Sequence, residues 1–222
     1  MLLYRDEHLL VLDKPSGMLV HRGWAKDGPV ALAIARELAG QHVHPVHRLD
    51  RGTSGVLLFA LDPETVRRLQ AAPLEKRYLA LVRGVPPERG VIDHPIPNDE
   101  DGPRVPATTE FRLIASSPIE RVALVDARPR TGRLHQIRRH LKHINHPVIG
   151  DANYGKGAIN RDLRARYGLA RLALHALEVG FAHPVTGVSL RIVAPLPPDL
   201  VEPLARLGLP VRFDDFEQPF EI

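Results

Sequence analysis

His47-Arg48-Leu49-Asp50-Arg51-Gly52-Thr53-Ser54-Gly55 runs directly into Val56-Leu57-Leu58-Phe59-Ala60-Leu61. The second stretch is an unbroken apolar run after a turn, and it predicts a buried strand. The first sets one carboxylate, Asp50, between Arg48 and Arg51. An acid held in a cationic loop against a core strand should stay ionised and be rigidly aimed. That suits a nucleophile or base working on a polyanion. A loop salt bridge anchoring a strand uses the same residues, and for an isolated Asp between arginines it is the commoner arrangement.

Outward from this segment, short strands predominate. His8 to Leu12 predicts a first strand, ended by the turn cluster Lys14-Pro15-Ser16-Gly17. Val30 to Ala39 is an amphipathic helix closed by Gly40. Asp62-Pro63-Glu64 supplies a cap, an N1 proline and an early acid for a helix through Leu69. Arg77 to Val82 predicts another strand. Val85 to Pro106 is rich in Pro, Asp and Gly and predicts a long excursion or mobile loop with a short strand at Val91-Ile92. Strands follow at Thr108–Ile114 and Arg121–Ala127. Thr131-Gly132 then precedes a helix with Leu134, Ile137, Leu141 and Ile144 on one face. A helix over Ile159–Tyr167, a hairpin from Leu172–Phe181 and Val188–Val193, and a helix over Pro198–Leu207 complete the pattern. Strands outnumber helices without regular alternation, which predicts α+β around a largely antiparallel sheet.

The 222 residues can bury a full core as one large domain or two joined halves. The expectation is a single catalytic domain over 1–222, with 208–222 as an acidic, aromatic tail. The net charge is +4, from 30 basic and 26 acidic residues, and the basic residues are mostly arginine. Arginine grips phosphate in a fork and stacks on bases, so the balance permits a nucleic-acid partner. With no cysteine, zinc-thiolate sites, disulfides and cysteine nucleophiles are excluded. No signal-peptide stretch and no apolar run near membrane-spanning length occurs, so a cytoplasmic protein without membrane association is expected.

Three further segments are too polar for their surroundings. Lys76-Arg77-Tyr78 places a tyrosine on a strand beside two cations. Arg128-Pro129-Arg130-Thr131-Gly132-Arg133-Leu134-His135-Gln136-Ile137-Arg138-Arg139-His140 crowds cations around a helix start, where they oppose the helix dipole. Local conflict of this kind is expected where function overrides propensity. The last is His146-Pro147-Val148-Ile149-Gly150-Asp151 with Tyr154-Gly155.

In this order the motifs resemble those of the RluA-type pseudouridine synthases. His47–Gly55 resembles the family signature, Lys76-Arg77-Tyr78-Leu79-Ala80 its tyrosine motif and Thr131–Arg138 its arginine motif. His146–Asp151 and Leu174-His175-Ala176 are also family-like, and the resemblance extends from about Leu9 to Pro195. It implies a pseudouridine synthase fold, with a mixed but largely antiparallel central sheet flanked by helices and loops, and a catalytic cleft across the sheet. It implies an isomerase that converts a uridine in RNA to pseudouridine. Asp50 would be the catalytic aspartate, Arg138 its ionic partner and Tyr78 the platform stacked on the target base. Arg48 would occupy the space that the base leaves, and Arg51, Arg130, Arg133 and His135 would bind RNA. The reaction has no redox step and no group leaves, so no cofactor is expected.

Without the resemblance each residue keeps an ordinary reading. Tyr78 would be a core tyrosine, Arg138 a solvated helix residue, and Arg48 a phosphate clamp. A metal is not expected either. His140, His143 and His146 fall at steps of three, but no carboxylate stands at zincin spacing and Pro147 ends the helix. Within the family, Gly17-Met18-Leu19-Val20-His21-Arg22-Gly23-Trp24, Arg139–His143, Asn160-Arg161 and Tyr167–Leu172 resemble the TruC branch, which modifies tRNA. That implies uridine 65 of tRNA as target. A 23S ribosomal RNA target within the same family is the alternative, and an RNA-binding or folding-assistance protein the alternative of another class. A hydrolase is disfavoured, since no second acid accompanies Asp50. A chain that opens on its first strand, without the N-terminal RNA-binding module of some relatives, is the expectation, and a monomer is expected.

Overall fold

A computed structural model of the chain describes residues 1–21, 30–98 and 102–216. In chain order the elements are β1 (Leu2–Arg5), β2 (Leu9–Lys14), α1 (Ala31–Ala39), β3 (His44–Pro45), β4 (Ser54–Ala60), α2 (Pro63–Ala71), β5 (Glu75–Arg83) and β6 (Arg89–Asp93). There follow β7 (Ile96–Pro97), β8 (Arg104–Val105), β9 (Thr108–Ser116), β10 (Val122–Pro129), α3 (Gln136–His143), α4 (Gly157–Tyr167), β11 (Leu174–Ala182), β12 (Ser189–Val193) and α5 (Pro198–Arg206). A short 3-10 turn at Phe213–Phe216 comes last. The chain forms two compact units, each from two stretches: Met1–Lys76 with Ala176–Pro195, and Arg77–His175 with Leu196–Ile222. The strand pairs are predominantly antiparallel, and the α+β class is as the sequence predicts.

In the first unit β4 lies between β2 and β11, with β1 beyond β2 and β12 beyond β11. All seven residues of β4 are buried, as its apolar run requires. Val56, Leu58 and Ala60 share a core with Leu9, Val11, Val179, Phe181 and Ile192. Leu57 and Phe59, on the opposite face, are equally closed. Each such Leu or Phe contributes roughly 1.5–3 kcal/mol by leaving water. Gly55 has φ +111°, and a Cβ there would lie 2.1 Å from the Ala176 carbonyl oxygen. Only glycine lets these two backbones meet. The α2 start is as predicted: Asp62 accepts from the Thr65 N–H at 2.8 Å, with Pro63 in the first turn.

The second unit has the antiparallel order β5-β10-β9-β6. Register pairs Ala127 with Tyr78 and with Phe111, so these three share one face. Asp126 pairs with Leu79 and Arg112 and takes the other face. Helix α3 covers the Tyr78 face: Gln136 and His140 both reach the buried hydroxyl of Thr109, at 3.0 and 2.9 Å. On the Asp126 face, Arg77 donates from Nε to Asp126 at 2.8 Å, with Arg128 and Arg112 at 3.5 and 3.8 Å. Arg77 also donates to the carbonyl of Phe216, whose ring is fully buried.

The structure corrects several expectations. Between Val85 and Pro106 the chain is not one excursion: β6 runs five residues along β9, and β7 pairs β8 on either side of residues 99–101, which lie outside the described residues. Helix α3 begins at Gln136, so Leu134 and Ile144 lie outside it. Its buried face is largely polar, with Gln136, Arg138 and His140 beside Ile137 and Leu141. The hydrophobic period missed this because buried hydrogen bonds replace apolar contacts there. Strands β1 and β3 were not foreseen. Of the branch-like stretch from Gly17, Arg22, Gly23 and Trp24 lie outside the described residues, as do residues 217–222 of the tail.

Candidate active site

The first unit carries Asp50 on the loop that enters β4. Leu49 is buried, Asp50 half-buried, and Arg48 and Arg51 exposed. The loop is closed by a turn in which Thr53 N–H donates to the Asp50 carbonyl at 3.0 Å. It is zipped to the turn after β2. Gly17 N–H donates to Arg51 O at 2.8 Å, Ser16 Oγ to Gly52 O at 2.8 Å, and Arg51 Nε back to Gly17 O at 3.0 Å. Beneath them Lys14, with no exposed surface, points its ammonium at the carbonyls of Met18, Pro15 and Arg51 at 2.8, 3.0 and 3.3 Å. A buried cation is tolerable only with such hydrogen bonds, and it fixes the loop that bears Asp50. Sequence reasoning passed over Lys14 as part of a turn cluster.

His47 is a second buttress. Its Nε2 accepts the Leu58 N–H at 3.2 Å, so that nitrogen carries no proton. Burial, with the positive charge of Lys76 adding to it, pushes the imidazole down from 6.5 to about 3. His47 is therefore neutral at physiological pH and serves β4 as a fixed acceptor.

The second unit carries Tyr78, Arg130, Arg133, His135 and Arg138. Tyr78 is buried on the sheet face that α3 covers. Around the helix start, Gln136 folds back on the preceding turn. Its Oε1 accepts from Thr131 Oγ1 and Arg133 N, and its Nε2 donates to Thr108 O. This satisfied amide welds the Thr131–His135 turn to β9. His135 takes the left-handed conformation, φ 54°, and its Nδ1 lies 3.1 Å from the Tyr154 hydroxyl. A non-glycine residue held there marks a turn over-determined by its surroundings. Arg133 is exposed, whereas the fork of Arg130 is closed on Glu110 at 2.6 and 2.7 Å.

Arg138 is buried, not a solvated helix residue. Its Nε and Nη2 donate to Asp151 at 2.7 and 2.8 Å, a bidentate pair. Burial works against the Asp151 carboxylate, but the Arg138 guanidinium and the N–H groups of Tyr154 and Asn153 more than offset it. Asp151 therefore titrates below the usual carboxylate range. Sequence reasoning singled out the Gly150-Asp151 segment without finding this role. The cation-rich run at 128–140 pointed to a site, but nothing in spacing pairs residues 138 and 151.

A family model for RNA pseudouridylate synthases matches residues 8–143, well over half of the chain. The chain belongs to the RNA pseudouridylate synthase family. As an RNA pseudouridine synthase it is an isomerase. It is 41% identical over 219 residues to the tRNA pseudouridine synthase C of Pectobacterium carotovorum subsp. carotovorum, covering 87% of this chain and 58% of that protein. It is 39% identical over 218 residues to the tRNA pseudouridine synthase C of Pasteurella multocida (strain Pm70), covering 87% and 90%. Among solved structures, human RNA pseudouridylate synthase domain containing 4 superposes with TM-score 0.74 at 29% identity, covering 93% of this chain and 92% of that one. Human RNA pseudouridylate synthase domain containing 1 gives 0.71 at 26%, covering 90% and 85%. No helix among the described residues is long and apolar enough to cross a membrane.

Proposed function

We propose that this synthase isomerises uridine 65 of tRNA, as a monomer in the cytoplasm, its two units serving as one catalytic domain. The observation that carries the reading is the 39% identity over 90% of the Pasteurella multocida tRNA pseudouridine synthase C.

In this reading Asp50 is the catalytic carboxylate and Arg138 its ionic partner. Tyr78 stacks on the target base, and Arg48 fills the gap that the base leaves. Arg51, Arg130, Arg133 and His135 hold flanking RNA. A uridine within a helix must be flipped out, at a cost of a few kcal/mol. An aromatic platform returns about 1–3 kcal/mol per base, and arginine in the gap adds to it. Attack by the carboxylate frees the uracil from its N1–C1′ bond, and the base turns while bound. A C5–C1′ bond then forms, the bond to the Asp50 carboxylate breaks so that the carboxylate is released, C5 loses its proton and N1 gains one. The product is an isomer of the substrate, so nothing is consumed.

The test pairs a protein variant with a map of pseudouridines. Asp50→Ala should abolish pseudouridine formation in tRNA transcripts while RNA affinity stays within about threefold, since charge contacts to phosphate are untouched. An active Asp50→Ala enzyme overturns the mechanism. In cells lacking the gene, position 65 of tRNA should read as uridine. Loss of a ribosomal RNA site in its place overturns the substrate and leaves the chemistry.

A further inference from the structure

We propose that Asp151 is a positioning residue for the isomerisation, acting by fixing the guanidinium of Arg138. The proposal rests on the reading of Arg138 as partner of the catalytic carboxylate. It adds a residue to which no role has been given.

The side chain of Asp151 is fully enclosed, and both of its oxygens face Arg138, at 2.7 and 2.8 Å. Two parallel charge-assisted hydrogen bonds set the plane of a guanidinium as well as its place. The grip takes Nε and Nη2 and so determines where Nη1 points. The aromatic ring of Tyr154, 5.1 Å from the Arg138 guanidinium carbon, faces the same group.

The carboxylate is itself built in. Its Oδ1 accepts the N–H groups of Asn153 and Tyr154 at 2.9 and 3.0 Å, closing an Asx turn. Asn160 clamps the backbone on both sides, accepting Gly150 N–H at 3.0 Å and donating to Asp151 O at 3.0 Å. Gly150 has φ +78°, and a Cβ there would lie 1.8 Å from the Arg171 carbonyl oxygen. At Gly155 a Cβ would lie 2.4 Å from the Asp151 carbonyl oxygen. A turn this constrained, ending in a buried carboxylate, is more than charge neutralisation of one arginine requires. It holds an angle.

The experiment is a double-mutant cycle between Asp151→Asn and Arg138→Lys, read by single-turnover tritium release from a tRNA transcript labelled at uridine C5. Lysine keeps the charge but cannot be held in a fork. Arg138→Lys alone should slow turnover on the order of 100-fold, as expected for a misplaced group. Asp151→Asn should slow it comparably, with KM within about threefold, since neither change removes a phosphate contact. In the Arg138→Lys background Asp151→Asn should cost no more than about a further threefold, because the two act as one unit. Equal losses in both backgrounds, or wild-type turnover in Asp151→Asn, overturn the positioning role. Wild-type turnover in Arg138→Lys overturns the underlying reading of Arg138 instead. Should Asp151→Asn fail to fold, Asn160→Ala releases the Gly150–Asp151 backbone with the carboxylate in place. It should slow turnover in the wild type and not in the Arg138→Lys background; independent losses again overturn the proposal.

Discussion

The imidazole of His47 accepts the backbone N–H of Leu58 through Nε2 at 3.2 Å, tying the approach to Asp50 onto the strand that follows it. The bond exists only while the ring is neutral. Its folded-state value, about 3, lies below the 6.5 of the unfolded chain. The unfolded state therefore binds the proton first. The stabilisation is complete above 6.5 and is lost as the pH falls from there toward 3, by roughly 1.4 kcal/mol per pH unit. Burial lowers His140 as well, so part of the acid slope belongs to that residue. His47→Gln keeps an acceptor without a proton to gain. In urea titrations the wild type should lose about 1.4 kcal/mol more than His47→Gln between pH 7.5 and 5.5. Equal losses would remove His47 from the acid limb.

Gly55 tests the close approach beside the same loop. Alanine there combines a left-handed φ of +111° with a Cβ 2.1 Å from the Ala176 carbonyl oxygen, and backbone cannot step aside as a side chain can. Gly55→Ala should cost at least about 3 kcal/mol and reduce soluble yield. Gly17→Ala is the control. Its φ is +84°, but nothing lies within 4 Å of the new methyl, so strain alone should cost about 1–2 kcal/mol. Equal melting temperatures for the two variants would contradict the contact.

The Asp126 face supplies a purely structural prediction. Three guanidiniums, those of Arg77, Arg128 and Arg112, converge on one fully buried carboxylate. Asp126→Asn leaves their charges in a buried setting without it and should destabilise the chain by about 3–5 kcal/mol. Folded protein should still turn over, because this face lies opposite Tyr78. A folded variant that binds RNA normally but is inactive would place the cluster in the chemistry.

RNA affinity should separate two arginines that look alike in sequence. Arg133 is exposed, whereas both arms of Arg130 are held by Glu110. Arg133→Ala should flatten the dependence of log K on log salt by about one unit, the mark of one lost phosphate contact. Arg130→Ala should change the slope by less, since binding RNA must first break an existing pair. The reverse ranking would assign the phosphate contact to Arg130.

What the sequence disclosed and what it hid follow from the range of the forces involved. The run from Val56, the Asp62-Pro63 cap and the Gly40 terminus of α1 are local, and each formed as local chemistry dictates. The segment Lys76-Arg77-Tyr78 shows the limit. It looked like one polar cluster, but strand alternation sends Arg77 into the Asp126 cluster and Tyr78 to the face under α3. Lys14 and Asp151 stayed hidden because their partners lie on other turns of the chain: Met18 and Arg51 for one, Arg138 for the other. Hydrophobic periodicity found the helix through Ile137 and Leu141 but had no means of announcing that Gln136, Arg138 and His140 share its buried face. Pattern finds apolar faces, and the buried face around Arg138 is largely polar.

The first unit is completed by a stretch that begins at Ala176, and this gives the molecule a schedule. Strand β4 has β11 as one of its two long neighbours in the sheet, and Ala176 is the residue against which Gly55 packs. On a translating ribosome Asp50 emerges on the order of ten seconds before that neighbour, at the usual 5–20 residues per second. Until then the nascent chain presents an open apolar edge, the kind of surface that recruits chaperones and misassembles. The loop bearing the carboxylate is likewise without one of its walls. Synthesis order thus acts as a timer: a stalled or truncated chain carries Asp50 without the frame that aims it.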